Sequence, residues 1–247
     1  MIHHICALSG GKDSTAMVLR LSEVEPRNYQ YICTPTGNEL PEMFEHWRRL
    51  GEMLGEPIKP ITAGKSLQGL IRAQNALPNY RMRWCTRLLK IEPFHAYLIK
   101  MSPAVSYVGI RADEADDRAG VDWEKLGGIT NRYPLVEWGW DEADVREYLR
   151  YRNVEIPART DCAMCFFQRL GEWWKLWIDY PEAYAEAEKY EDLTGHTLRS
   201  DARDSWPASL KDMRIRFEDG DIPRGANQTS FNLGVSGRSA MCSVCAR

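Results

Sequence analysis

Residues 5–19 constrain the fold more than any other stretch of the chain. Ile5-Cys6-Ala7-Leu8 is a short apolar run, Ser9-Gly10-Gly11-Lys12-Asp13-Ser14 is a glycine turn, and Thr15-Ala16-Met17-Val18-Leu19 reads as an opening helix. A buried strand that turns directly into a helix belongs to an α/β sheet, and such sheets take ligands at the carboxyl ends of their strands. Gly10 and Gly11 let the backbone come close to a ligand. The free N–H groups of the helix start, and its dipole, favour an anion there. Lys12 adds a positive charge, and Ser9 and Ser14 add hydroxyl donors. The turn reads as a phosphate cradle; a glycine-rich turn without a ligand is the plainer alternative. It is not the longer G-x-x-x-x-G-K-[ST] loop, whose first glycine is missing.

Strand and helix patterns alternate through residue 150. Strand-like runs fall at 29–34, 58–62 and 105–110, and helical spacing at 41–54, 65–74, 86–99 and 141–151. This alternation predicts an α/β fold with a doubly wound parallel sheet. With 247 residues, the chain suits one large domain or one domain with an appendage. The expected division is a nucleotide-binding domain over 1–160 and a helical, cysteine-bearing extension over 161–247. In that extension Trp173, Trp174, Trp177, Tyr180, Tyr184 and Tyr190 load a helical segment. Core packing is the expected role of these rings, ahead of a base-stacking platform. Residues 196–247 have weak periodicity, and 225–239 reads as a flexible connection.

The net charge of −3 carries no overall basic bias, so contact with nucleic acid would need a local patch. No run approaches the ~20 apolar residues of a membrane span. The chain enters a strand at once, with no leader pattern. These features predict a cytoplasmic protein with no membrane contact. Seven cysteines in that compartment are not a disulfide framework. Cys6 and Cys33 sit in apolar runs and read as core. Cys162 and Cys165 form one C-x-x-C pair, and Cys242 and Cys245 another. Four such thiolates suit tetrahedral zinc or a [4Fe–4S] cluster.

Three further constellations carry chemistry. Thr36-Gly37-Asn38-Glu39-Leu40-Pro41-Glu42 follows the second strand; Gly37 permits close approach, and Glu39 suits a ribose hydroxyl or a metal. A turn leading into a helix is the alternative there. Arg81, Arg83, Arg87 and Lys90 surround Cys85, a setting that favours its thiolate and suits phosphate or sulfate. After the strand near 105, Gly109 is followed by Arg111, Asp113, Glu114 and Arg118. The arginines suit phosphates, and Asp113 or Glu114 suits Mg²⁺.

Taken in order, these runs resemble one known family. Ser9–Ser14 is similar to the PP-loop of the N-type ATP pyrophosphatases. The T-G-x-E-x-P-E run from Thr36, the R-x-C-x-x-x-L-K-x-x-P run ending at Pro93, and the G-x-R-x-x-E-x-x-x-R run from Gly109 to Arg118 resemble its PAPS reductase and ATP sulfurylase small-subunit branch. So do Tyr133-Pro134-Leu135 with the helix after Asp141, and the first C-x-x-C. The resemblance spans about the first three-quarters of the chain. It implies an adenine nucleotide alpha hydrolase-like fold, with ATP and Mg²⁺ held by Ser9–Ser14, Thr36, Gly37, Glu39, Gly109, Arg111, Glu114 and Arg118. Lys12, Asp13 and Cys85 are the implied catalytic residues, with Lys12 offsetting charge on a leaving pyrophosphate and Mg²⁺ near Asp13. It also implies a [4Fe–4S] cluster on Cys85, Cys162, Cys165 and a tail cysteine, because the family's tandem cysteine pair is here Trp84-Cys85. Zinc on the two C-x-x-C pairs is the alternative.

The implied activity is adenylylation of a substrate oxygen followed by sulfur transfer from a donor protein. The alternatives are a sulfonucleotide reductase, whose loop usually lacks the intact lysine-bearing core, and a zinc-stapled nucleotide-binding module. The acceptor is open, and a nucleic acid among the candidates rests only on Arg81, Arg83, Arg87 and Lys90.

Overall fold

The computed structural model describes residues 2–116 and 127–226. Its centre is a five-stranded sheet of β1 (His3–Ala7), β2 (Tyr29–Cys33), β3 (Lys59–Pro60), β4 (Ala104–Tyr107) and β5 (Ile129–Arg132). The order is β3-β2-β1-β4-β5, and every pairing is parallel. Ile5 lies opposite Gln30 on one side and Ser106 on the other. The chain reverses direction across the sheet between β1 and β4, so the loops after these two strands open side by side, where ligands enter such sheets.

The helices are α1 (Lys12–Val24), α2 (Pro41–Leu54), α3 (Leu67–Gln74), α4 (Trp84–Thr86), α5 (Glu92–Lys100), α6 (Pro134–Glu137), α7 (Glu142–Tyr151), α8 (Leu170–Asp179), α9 (Pro181–Thr194) and α10 (Leu210–Glu218). Local chemistry sets several starts. Pro41 and Pro181 occupy first turns, where a missing N–H costs nothing. Asp141 accepts from Ala143 N and Asp144 N, closing a capping box on α7. Gly55 and Gly195 end α2 and α9 in the left-handed conformation.

Two apolar layers cover the sheet. On one face Met17 and Leu21 of α1 pack with Leu50 of α2 and with Val145 and Leu149 of α7. On the other, Ile5, Ile32, Ala104 and Ile129 pack with Leu98 of α5. Cys6 and Cys33 are buried in the sheet, and burial pushes the Cys6 thiol well up and the Cys33 thiol up to about 12. Both are inert packing groups. A third cluster joins Trp173, Tyr184, Tyr190, Met213 and Phe217 to Leu67 and Ile71 of α3 and to Leu89. The aromatic segment is thus core, packed on the helices that follow β3.

The structure departs from the sequence pattern in four places. β3 has two paired residues rather than five, because only Ile32 and Cys33 of β2 extend beside it. The helix expected from Thr86 starts at Trp84 and runs through a π-turn, Arg87–Ile91, into α5. β5 was not expected: Ile129-Thr130-Asn131-Arg132 has a single apolar residue, and it is pairing with β4 that makes it a strand. α10 lies in the stretch of weak periodicity, although Ser209 caps it and Leu210, Met213 and Phe217 form its buried face. Among the described residues no helix is long and apolar enough to cross a membrane.

Trp173 is fully buried where α8 meets the other helices. Trp173→Ala should lower unfolding stability by about 3–5 kcal/mol, as for large-to-alanine core changes, measured by denaturant titration.

Candidate nucleotide site

The first loop is held open by packing from below. Gly10 has φ +84, and a Cβ there would lie 2.5 Å from Met43 Cε and 2.7 Å from Trp47 Nε1. Only glycine satisfies both the conformation and the space. Gly11 caps α1 without a side-chain hydrogen bond, which leaves the first-turn N–H groups for a ligand. Gly11 N donates to Ser9 Oγ at 3.2 Å, Ser9 Oγ meets Ser14 Oγ at 3.0 Å, and Ser14 Oγ donates to Gly11 O at 3.1 Å. The two serines therefore shape the turn as well as facing it.

The β4 loop closes on the same spot. A Cβ at Gly109 would stand 3.0 Å from both Ser14 N and Ser14 Cα, so this glycine lets the second loop touch the start of α1. Arg111 crosses to Asp13, Nη1 to Oδ2 at 3.2 Å, and both side chains are almost fully buried. Arg111 also holds Asp113 at 2.9 Å and Glu114 at 2.9 Å. Burial opposes the charge on Arg111, but Asp113, Asp13 and Glu114 outweigh it and raise its pKa further. Lys12 Nζ reaches Asp13 Oδ2 at 3.3 Å and lies 4.0 Å from Glu142, in the first turn of α7. The cations expected to meet phosphate are thus already among carboxylates. Asp13 Oδ1 is buried and has no hydrogen-bond partner among the described residues.

The second loop is tied down by its own acid. Glu39 accepts from Thr36 N at 2.6 Å, Thr36 Oγ1 at 2.8 Å and Gly37 N at 3.0 Å. Gly37, at φ +79, packs against Ser66 at the start of α3. Asn38 then reaches 126 residues along the chain: its O accepts from Ala163 N at 2.7 Å and its Oδ1 from Met164 N at 2.8 Å. This brings the first C-x-x-C to the nucleotide loops, and Thr160 Oγ1 stands 3.8 Å from a Cβ built on Gly11. Cys165 N donates to Cys162 O at 3.1 Å, and the neighbouring Cys162 thiol together with burial pushes the Cys165 thiol up. Cys85 and Cys162 each pack against the helical core as half-buried residues. Among the described residues no group of three or more His, Cys, Asp or Glu side chains is placed to hold a metal ion. Arg118, Cys242 and Cys245 lie outside the described residues.

Four residues of this region were not singled out from the sequence: His46, Trp47, Asn38 and Glu142. His46 is buried on α2 with Met43 and Leu50. Its Nε2 meets Thr15 Oγ1 at 3.2 Å, and it hydrogen-bonds the Gly10 backbone. A histidine on the apolar face of a helix was the available signal. Glu142 gave none, because a charged first-turn residue is ordinary. Beside Gly10, Phe44 and Trp47 line an apolar groove of about 600 Å³ that extends past Pro35 to Pro60.

Comparison with known proteins bears on the family and the fold. Residues 3–174 match the family model described as phosphoadenosine phosphosulfate reductase domain. The fold is similar to a crystal structure of phosphoadenylyl-sulfate (PAPS) reductase from Candida auris in a phosphate complex. That similarity has a TM-score of 0.50 at 18% identity and covers 63% of this chain and 75% of that one. No curated protein matches the chain.

Two outcomes follow for the loop. Gly10→Ala should cost about 1–3 kcal/mol of stability through strain and overlap and weaken nucleotide binding, read by thermal melting with and without ATP. Burial, helped by Arg49, pushes the His46 pKa down to about 4. The unfolded chain then binds this proton more readily than the folded one. His46 should therefore cost stability as pH falls from about 6.5 through 4, by up to about 3 kcal/mol. That component should vanish from the acid limb in His46→Gln, followed by denaturation across that range.

Proposed function

The chain belongs to the phosphoadenosine phosphosulfate reductase domain family, and from that premise we propose that it binds ATP and transfers its adenylyl group to an acceptor ahead of sulfur transfer. The observation that carries this reading is the complete cradle: open helix N–H groups, Gly10 seated under α2, and Lys12 held within 3.3 Å of Asp13. A loop kept for a sulfonucleotide alone has little need of a lysine for a leaving pyrophosphate.

In this mechanism the β- and γ-phosphates lie on the backbone of Gly10, Gly11 and Lys12. The apolar groove along Phe44 and Trp47 takes the base. The acceptor oxygen attacks the α-phosphorus, the bond to the β-phosphate oxygen breaks, and Lys12 offsets the charge gathered on pyrophosphate. Asp13 and Arg111 position the loop. Mg²⁺ fits here, since buried Asp13 Oδ1 lacks a hydrogen-bond partner among the described residues; it would be held at Asp13 and would screen phosphate charge. A sulfur donor, a persulfide carrier by class, then displaces AMP.

Among the described residues Cys85, Cys162 and Cys165 are not grouped to hold a metal ion, and the candidate ligands Cys242 and Cys245 lie outside those residues. Iron, zinc and acid-labile sulfide analysis of anaerobically purified protein decides whether a [4Fe–4S] cluster or zinc is bound.

The second reading is a sulfonucleotide reductase. It is favoured by the tie between the C-x-x-C and the loop after β2, through Asn38 to Ala163 N and Met164 N. In that case a thiolate attacks the sulfate sulfur and ATP is not cleaved.

The two separate in one assay. ATP with candidate acceptors should yield pyrophosphate and AMP, and Lys12→Ala should lower the rate about 10²-fold or more. Sulfite released from a sulfonucleotide, with no pyrophosphate from ATP, would replace the first reading with the second.

A further inference from the structure

One stretch of this acidic chain has an opposite charge. From Pro57 to Ile91 there is no Asp or Glu, while Lys59, Lys65, Arg72, Arg81, Arg83, Arg87 and Lys90 all fall within it. The fold brings two of these cations, Lys59 and Lys65, to one groove with Lys100. A groove of about 520 Å³ lies between the segment after β3 and the α4–α5 helix, lined by Thr62, Lys65, Leu88, Pro93, Tyr97 and Lys100. Lys59 stands at its rim, 4.9 Å from the centre of the Tyr97 ring. Lys59, Lys65 and Lys100 are exposed. Glu92 is the one acid among the lining residues, and it is paired with Arg87 at 2.9 Å.

One end of the groove meets the loop after β2, and the other leads toward Cys85. At one, Leu67 N donates to Thr36 O at 2.9 Å, so the groove wall abuts the Thr36–Glu39 loop. At the other, Leu88 lies about one helical turn from Cys85. Beyond Cys85 the chain presents a fixed turn. Asn79 Oδ1 accepts from Arg81 N and Met82 N, each at 2.9 Å, and Asn79 N donates to Met82 O at 3.2 Å. That turn leaves Tyr80 77% exposed and Met82 55% exposed, beside exposed Arg81.

We propose that the groove and the 79–83 turn form a binding surface for single-stranded nucleic acid, the acceptor class of the reaction. The inference rests on the adenylylating reading only for the word acceptor; the surface stands on its own geometry. The exposed lysines come from separate segments, Lys59 in β3, Lys65 after it and Lys100 at the end of α5, whereas a lone phosphate calls for donors that converge. A polyanion fits such spacing. An exposed tyrosine held by a fixed turn suits an unstacked base, which a duplex does not offer. The apolar floor of Leu88, Pro93 and Tyr97 suits bases more than it suits the carboxylates of an acidic protein.

The test uses the full chain and fluorescein-labelled 20-nucleotide single strands of mixed sequence, DNA and RNA, followed by anisotropy across salt concentrations. At least one should bind, with a log–log salt slope of about −2 to −3, corresponding to roughly three or four phosphates neutralised. The Lys65→Glu/Lys100→Glu pair should weaken binding about tenfold or more, and Tyr80→Ala about fivefold with the slope unchanged. Each variant is paired with a thermal melt, and a variant that fails to fold is replaced by Lys65→Ala/Lys100→Ala, which should show a smaller loss in the same direction.

No binding at low salt, equal binding by the folded charge variants, preference for the duplex, or displacement by polyglutamate as effective as by unlabelled strand would each overturn the assignment. Lys12→Ala separates the two proposals, because it should keep strand binding. Strand binding without pyrophosphate release from ATP sinks the adenylylating reading and leaves the surface; the converse sinks the surface alone.

Discussion

The contact between Asp13 and Arg111 is the constraint on which the site depends. It joins the loop after β1 to the loop after β4 across 98 residues of sequence, at the point where the sheet reverses its winding. Both groups are nearly out of water. Removing Arg111 would leave buried Asp13 with Lys12 alone, and removing Asp13 would leave Arg111 with Asp113 and Glu114. The pair therefore acts less as a source of stability than as a lock on geometry. Gly109 makes it reachable, because any side chain there would strike the backbone of Ser14. With these two loops fused, the start of α1 is presented at a fixed angle.

A second brace comes from α2. Met43, His46 and Trp47 sit against Gly10 or Thr15, so the helix after the second strand supports the turn after the first. The third brace is Asn38, whose two hydrogen bonds hold Ala163 and Met164. Each brace links one strand-end loop to a distant segment. Together they bring the thiol pair toward the glycine turn that opens α1. The electrostatics have a consequence for ligand entry. Lys12 and Arg111 stand among Asp13, Asp113, Glu114 and Glu142. In the proposed reading a triphosphate would compete with these carboxylates, and a divalent cation that takes one of them would make the exchange easier.

Much of this architecture was legible in the residues. The apolar run at 5–8, the two glycines and the helix after them specify a strand–turn–helix by local chemistry alone. The bounds of α2 were read correctly because Pro41 starts it and Gly55 ends it. β5 was invisible because its residues are mostly polar and its strand character comes from β4. α10 was hidden because its three buried residues are spread thinly among charges. Glu39 illustrates a different limit. It was expected to face a ribose or a metal, and in the structure it caps its own turn through three hydrogen bonds. A carboxylate two or three residues from a turn has free backbone N–H groups within reach, and these compete with any ligand.

By itself the sequence determined the parallel α/β class, the glycine turn between β1 and α1, and the family to which residues 3–174 belong. These are written in periodicity and in short runs whose members touch one another. Only the tertiary structure decided that Arg111 is a buried strut rather than an open clamp, that His46 braces the first loop, and that a basic stretch becomes a groove. Those outcomes depend on which side chains from distant segments share a buried space. Burial turns a charge from a solvated group into one that must find a partner, and no local pattern says which partner will be there.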